Sequence, residues 1–186
     1  MNNLKIFPVD IFWWDYSGPI NFNMNQDNPF QSSNDILKLP EHQEVKNFIS
    51  ECLDEVKIFY SLKCEKLEIT TSWINSYSPE EGLNFHTHPL SSFSGVLFLS
   101  DGDPIIFKDP IFSRSNNSTI PLSSLENCYF SLEAIKNRLI IFPWWLEHGV
   151  SGVSDYRYSL SFNSMPVGKV NYDDDLNLSS SEIFYK

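Results

Sequence analysis

The chain has 186 residues, 41% hydrophobic and 15% aromatic, enough to bury one substantial core and too few for two comfortable ones, so a single domain over residues 1–186 is expected. A formal net charge of -11 with no Lys/Arg cluster argues against nucleic acid or anionic membrane as an unassisted partner, because phosphate contacts need concentrated positive charge. Cys52, Cys64 and Cys128 lack metal-ligand spacing, the first residues lack a leader pattern, and no apolar run approaches the roughly 18 residues of a spanning helix; a reducing, cytoplasmic setting is expected.

In chain order, residues 4–14 (LKIFPVDIFWW) predict a strand or strand pair broken at Pro8, followed by an Asn-rich loop with a short helix reaching to about Pro40. From Glu41 to about Phe59 the apolar residues Val45, Phe48, Ile49, Cys52, Leu53 and Val56 recur at helical spacing behind Pro40, which predicts one amphipathic helix packed on a sheet. Five β-rich runs follow, LEITTSWINSY, SSFSGVLFLS, PIIFKD, RLIIFPWW and YRYSLSFN, separated by Gly, Pro, Asn and Asp. Short strands at that spacing predict a barrel or sandwich. Residues 111–134 read as a long polar loop with a brief strand near CYF, and the acidic C-terminal tail reads as partly disordered, with Ile183, Phe184 and Tyr185 as docking points.

His86 and His88, in the stretch NFHTHP, are two residues apart, so an extended backbone presents both imidazoles on one side. A third histidine, His148, closes RLIIFPWWLEH, where it can complete a three-ligand face, or instead sit at the rim hydrogen-bonded to Glu147. In YRYSLSFN one face carries Tyr156, Tyr158, Leu160 and Phe162 and the other Arg157, Ser159, Ser161 and Asn163. If the polar face is interior, the Arg157 fork suits a bidentate carboxylate, with Ser159 about 7 Å along adding a hydroxyl; the alternative is a solvent face. The same alternation puts Leu67, Ile69, Thr71, Trp73, Asn75 and Tyr77 together, with Asn75 and Tyr77 placed to hydrogen-bond a bound acid or to close their own turn.

From about Trp73 to Asn163 these blocks resemble the Fe(II)- and 2-oxoglutarate-dependent dioxygenase superfamily, in particular a group of short bacterial and phage members with a His-x-His-Pro and Ser-Gly block. The resemblance implies a mainly β fold, a double-stranded β-helix (jelly-roll, cupin-like) core at about 67–165 with flanking helix. It also implies Fe(II) as cofactor on His86, His88 and His148, 2-oxoglutarate as cosubstrate on Arg157 and Ser159 with Asn75 and Tyr77 nearby, and molecular oxygen as co-reactant. The implied activity is hydroxylation of a small molecule, peptide or protein coupled to decarboxylation of 2-oxoglutarate to succinate. Phe142, Trp144, Trp145 and the 111–134 loop are candidates for cavity wall and lid, with burial in the aromatic core the alternative for most of these aromatic side chains. His88 departs from the superfamily's usual carboxylate, which leaves the metal one charge unit more positive. Asn137 stands where the group usually has Gly, a replacement compatible with a positive φ. A three-histidine cupin-type dioxygenase, a Zn(II) hydrolase or hydratase, and a non-catalytic jelly-roll binding module remain open alternatives.

Overall fold

The helix forms where the apolar period predicts it. In a computed structural model of the chain, which describes residues 9–22, 30–31, 35–110, 129–170 and 181–183, α1 spans Gln43–Phe59. Two short 3-10 turns, Ile36–Lys38 and Pro40–His42, lead into it, so the α-helical hydrogen bonding begins two residues later than expected and Pro40 opens the preceding turn. Val45, Ile49, Cys52, Leu53 and Val56 are its buried face, the i, i+3, i+4 stripe of an amphipathic helix.

That face lies on a seven-stranded antiparallel sheet. Its strands are β1 (Phe12–Asp15), β2 (Phe30–Gln31), β3 (Lys66–Tyr77), β5 (Phe93–Phe98), β8 (Arg138–Pro143), β10 (Arg157–Val170) and β11 (Ser181–Ile183). The order is β1-β8-β5-β10-β3-β2, with β11 pairing the far end of β10. A second sheet contains β4 (Leu83–His86), β6 (Gly102–Lys108), β7 (Tyr129–Ala134) and β9 (His148–Val150) in the order β4-β9-β6-β7. The larger sheet is thus covered on both sides. Leu97, Leu139, Ile141, Leu160 and Phe162 pack toward the helix, whereas Val96, Phe98, Ile140 and Phe142 pack with Ile105 and Phe107 of the smaller sheet. Two-sided burial explains why FSGVLF and RLIIFP read as nearly continuous apolar runs.

Several sequence expectations change here. The brief strand expected near CYF is present as β7 and runs on to Ala134, shortening the expected loop, while residues 111–128 and most of the tail lie outside the described residues; Ser181–Ile183 does pair with β10. The first predicted strand is reduced to Phe12–Asp15, with residues 1–8 outside the described residues. The largest change is in β3. Pairing with β10 slips between Asn163 and Ser164, matching Asn163 to Thr71 and Ser164 to Ile69 and leaving Thr70 as the extra residue of a β-bulge. Leu67 and Ile69 therefore face the helix together with Ile74, and the side chains beyond the bulge change sides. Asn137 has φ 70°, the left-handed turn conformation expected for it between β7 and β8.

Candidate active site

The space between the two sheets encloses a cavity of about 380 Å³ lined from β3 by Trp73, Asn75 and Tyr77, from the β4 region by His86 and His88, from β9 by His148, and from β10 by Arg157, Ser159 and Ser161. All seven residues singled out in the sequence converge on it. Their convergence depends on the bulge at Thr70, which turns Trp73, Asn75 and Tyr77 away from the helix that Leu67 and Ile69 face.

The histidines are brought together by strand register. His86 at the end of β4 is paired opposite His148 at the start of β9. Gly149 permits that approach, since a Cβ there would stand 2.7 Å from the Leu83 carbonyl oxygen. His88 follows in the next turn, where its backbone N–H donates to the Trp144 carbonyl at 3.0 Å. Nδ1 of His86 lies 2.9 Å from the Asn84 carbonyl oxygen and Nδ1 of His148 lies 2.9 Å from that of Leu146. A carbonyl can only accept, so each Nδ1 carries the proton and each Nε2 is left as a lone-pair donor. Nε2 of His88 lies 3.3 Å from Nε2 of His148, and one ligand nitrogen from each of the three rings lies within 4.8 Å of the others. Metal–nitrogen bonds of about 2.0–2.1 Å separate neighbouring ligand nitrogens by about 2.9–3.4 Å, so the His88–His148 spacing already suits one shared ion.

Burial keeps the His88 and His148 rings neutral. The His148 imidazole is pushed down to about 3, chiefly by desolvation, with the Leu146 carbonyl opposing and the other two imidazoles assisting. His88 is pushed down to about 4 by desolvation and by His86, against a hydrogen bond that the ring donates to the Asn163 side chain. Neutral imidazoles with outward-held N–H groups are the form a metal ion takes up. The alternative of a rim His148 hydrogen-bonded to Glu147 is not what the fold makes: His148 Nδ1 meets the Leu146 carbonyl, and Glu147 makes an ion pair with Lys108 at 2.9 Å.

Arg157 is 2% exposed. Its Nε–H donates to the Asp103 carbonyl at 3.0 Å, its guanidinium carbon lies 5.7 Å from the Tyr77 ring centre and 5.4 Å from that of Phe98, and Nη2 is buried with no hydrogen-bond partner among the described residues. Burial lowers its pKa, although arginine remains a cation. Asp103 is held in turn by the Ser154 N–H at 2.7 Å and the Ser154 hydroxyl at 2.8 Å, which fixes the carbonyl that Arg157 uses. Asn75 is committed within the chain: its Nδ2 donates to the Ser161 hydroxyl at 2.8 Å and approaches that of Ser159 at 3.5 Å, while its Oδ1 accepts from Trp73 Nε1 at 3.0 Å. Asn75 is therefore placed to orient the serines.

Sequence reasoning missed Trp73 as a wall of this cavity, stacked on His88 with ring centres 6.0 Å apart, and Asn163 as the amide behind His88. The alternation on YRYSLSFN could have found Asn163, which shares a face with Arg157 and Ser161. Trp144 and Trp145, expected as cavity wall, do not line it; they follow β8 on the outside of the turn that carries His88.

Among solved structures the fold is similar to an oxidoreductase of the 2OG-Fe(II) oxygenase family from Burkholderia pseudomallei, at 14% identity and a TM-score of 0.52 over 70% of this chain and 58% of that one. It is also similar to a Pseudomonas putida prolyl-4-hydroxylase, at 14% identity and 0.52 over 85% and 72% of the two chains. A third is the non-heme alpha ketoglutarate dependent carbocyclase SnoK from nogalamycin biosynthesis, at 12% identity and 0.54 over 80% and 70%. This chain thus spans under two thirds of the Burkholderia protein, and identities this low speak to the fold. No curated protein matches the sequence. Residues 71–163, half of the chain, match the family described as "Putative 2OG-Fe(II) oxygenase", and with that match running from the bulge of β3 to the amide behind His88, the chain belongs to the 2OG-Fe(II) oxygenase family.

Proposed function

We propose that the chain is a 2-oxoglutarate-dependent hydroxylase in which His86, His88 and His148 hold one Fe(II) and Arg157, with Ser159, anchors the distal carboxylate of 2-oxoglutarate. The observation that carries this reading is the Arg157 guanidinium, buried in the same cavity as the triad with Nη2 unpartnered among the described residues. A buried cation with an unused donor is costly unless a ligand supplies the acceptor, and a carboxylate matches the planar fork. The donor set fits iron equally: three imidazoles make a protein face with room for exogenous ligands.

Fe(II) with 2-oxoglutarate and oxygen supplies oxidative decarboxylation to succinate and carbon dioxide, with the second oxygen atom delivered to a substrate C–H bond. The chain's own residues set the geometry. The Asn84 and Leu146 carbonyls hold the His86 and His148 rings in one tautomer. Arg157 supplies the fixed positive end, kept in place by the Asp103 carbonyl. Asn75 aligns the Ser159 and Ser161 hydroxyls along β10. Trp73, Val96, Ile105 and Val150 supply apolar wall that excludes water around the reacting groups.

Anaerobic calorimetry on the iron-loaded protein tests the assignment. Saturable 2-oxoglutarate binding is expected for the wild type, weakened in Arg157→Ala by roughly thirty- to several-thousand-fold, the equivalent of about 2–5 kcal/mol for a buried charge-assisted pair. Arg157→Lys should recover only part, because it restores charge without the fork. Unchanged affinity in Arg157→Ala would remove the cosubstrate assignment.

A further inference from the structure

The two tryptophans that the cavity does not use stand 40% and 42% exposed. Trp144 and Trp145 line a separate surface groove of about 400 Å³ together with Tyr60, Phe93 and Asp10. Tyr60 caps the C-terminus of α1 and stacks on Phe93 with ring centres 5.7 Å apart. Its hydroxyl donates to an Asp10 carboxylate oxygen at 2.9 Å, which fixes the acid against the aromatic wall. The groove's described lining sets four aromatic side chains and one carboxylate among smaller apolar and hydroxyl side chains, and it includes no lysine or arginine. Aromatic faces are electron-rich and attract cations. The carboxylate adds a formal charge of the same sign, and the chain's net charge of -11 adds a long-range field.

The surface continues past the groove. Phe59, 62% exposed, packs edge-on to Tyr60 at 5.1 Å, beside the exposed Ile58. Scattered exposed apolar side chains need no explanation, but tryptophan, tyrosine and phenylalanine gathered beside an acid have the composition of a protein-binding hot spot. We propose that this groove binds the alkylammonium side chain of a lysine presented by a partner polypeptide, with apolar neighbours of that lysine resting on the Trp145 and Phe59 rims. The groove is open, so a free amine would meet only its floor, whereas a polypeptide also covers the rims. The site's position gives it a bearing on the cavity: the Trp144 carbonyl accepts from the His88 N–H, and the Trp144 N–H donates to the Ser92 carbonyl at 3.3 Å. A polypeptide held in the groove lies against the turn that carries His88.

Tryptophan fluorescence of the full chain provides the test. The probes are a blocked peptide with one lysine between two leucines, the same peptide with norleucine replacing lysine, and tetramethylammonium chloride. Saturable quenching by the lysine peptide is expected, roughly tenfold tighter than by the norleucine peptide. That advantage should vanish in Asp10→Asn and shrink in Trp145→Leu, both retaining wild-type circular dichroism and metal occupancy. Equal binding of the two peptides would overturn the cation site, as would an undiminished lysine preference in Asp10→Asn. Tetramethylammonium binding as tightly as the lysine peptide would overturn the polypeptide occupant. No saturation by the lysine peptide up to about 10 mM would overturn the site altogether.

Discussion

At the scale of single residues the distinctive feature is an imidazole at position 88. Asn163 explains how it is held. Its Oδ1 already accepts from Ser94 at 2.9 Å, its Nδ2 donates to Thr71 at 3.2 Å, and the same side chain hydrogen-bonds His88. The amide is thus locked by two strands before it meets the ring. We expect His88→Ala to lose iron sharply, and His88→Asp to keep it, since a carboxylate is a competent Fe(II) ligand. Anaerobic iron titration decides this: an Asp variant as empty as the Ala variant would mean that the site requires three imidazoles. Asn163→Leu should weaken iron binding by roughly tenfold in the wild type, the usual scale for removing a group that orients a ligand, and by much less beside His88→Asp. An equal loss in both backgrounds would assign Asn163 a general structural role instead.

At the scale of elements the bulge in β3 decides which side chains meet the cavity. Strict alternation from Leu67 to Tyr77 would put all six odd-numbered residues on one face; with Thr70 extra, Leu67 and Ile69 join the helix-side core and Trp73, Asn75 and Tyr77 line the cavity. Deleting Thr70 would leave Ile69 and Thr71 adjacent opposite Ser164 and Asn163, so regular alternation keeps Trp73, Asn75 and Tyr77 in the cavity, and a loss of no more than about 1 kcal/mol in urea unfolding, with 2-oxoglutarate binding retained, is expected. Thr70→Ala keeps the residue count and removes only a 3.3 Å hydrogen bond to the Asn163 carbonyl, so it should cost about 1 kcal/mol. A deletion variant that unfolds far more easily than Thr70→Ala, or that loses 2-oxoglutarate binding, would show that the bulge shapes the cavity beyond setting which side chains face it. Bulges escape sequence reading because they depend on what the partner strand does at that level, and Thr70 is chemically ordinary.

At the scale of the whole molecule, burying neutral histidines ties stability to pH. In the unfolded chain an imidazole has its ordinary value near 6.5, whereas folding lowers His88 to about 4 and His148 to about 3. Between about 6.5 and those values the unfolded chain binds protons that the native state refuses, so stability is complete above about pH 6.5 and declines as pH falls toward the folded values. At about pH 5 each histidine accounts for about 2 kcal/mol, up to about 4 kcal/mol for both. Denaturant unfolding of the metal-free protein at about pH 7.5 and pH 5 should show that loss, reduced by about half in His148→Gln. An identical pH dependence in wild type and variant would mean that His148 is not buried neutral. The described residues also contain no helix long and apolar enough to cross a membrane.

The sequence alone determined what rests on local periodicity and residue chemistry. Helix α1 follows from its apolar stripe, the β-rich core from its short punctuated strands, and the positive φ at Asn137 from the tolerance of asparagine for that turn. His86, His88, His148, Arg157 and Ser159 stood out because few histidines and one patterned arginine fall in blocks that resemble an oxygenase. What the sequence left open was which face of YRYSLSFN is interior, since alternation separates two faces without saying which one meets water. Packing of Leu160 and Phe162 on the helix side decided it and turned Arg157, Ser159 and Ser161 into the cavity. Likewise, apolar character marked Trp144 and Trp145 as buried wall, and only the turn after β8, hydrogen-bonded to the His88 loop, carried them to the outer surface. Local pattern specifies what a strand can bury; the neighbours that arrive from distant parts of the chain specify which side is covered.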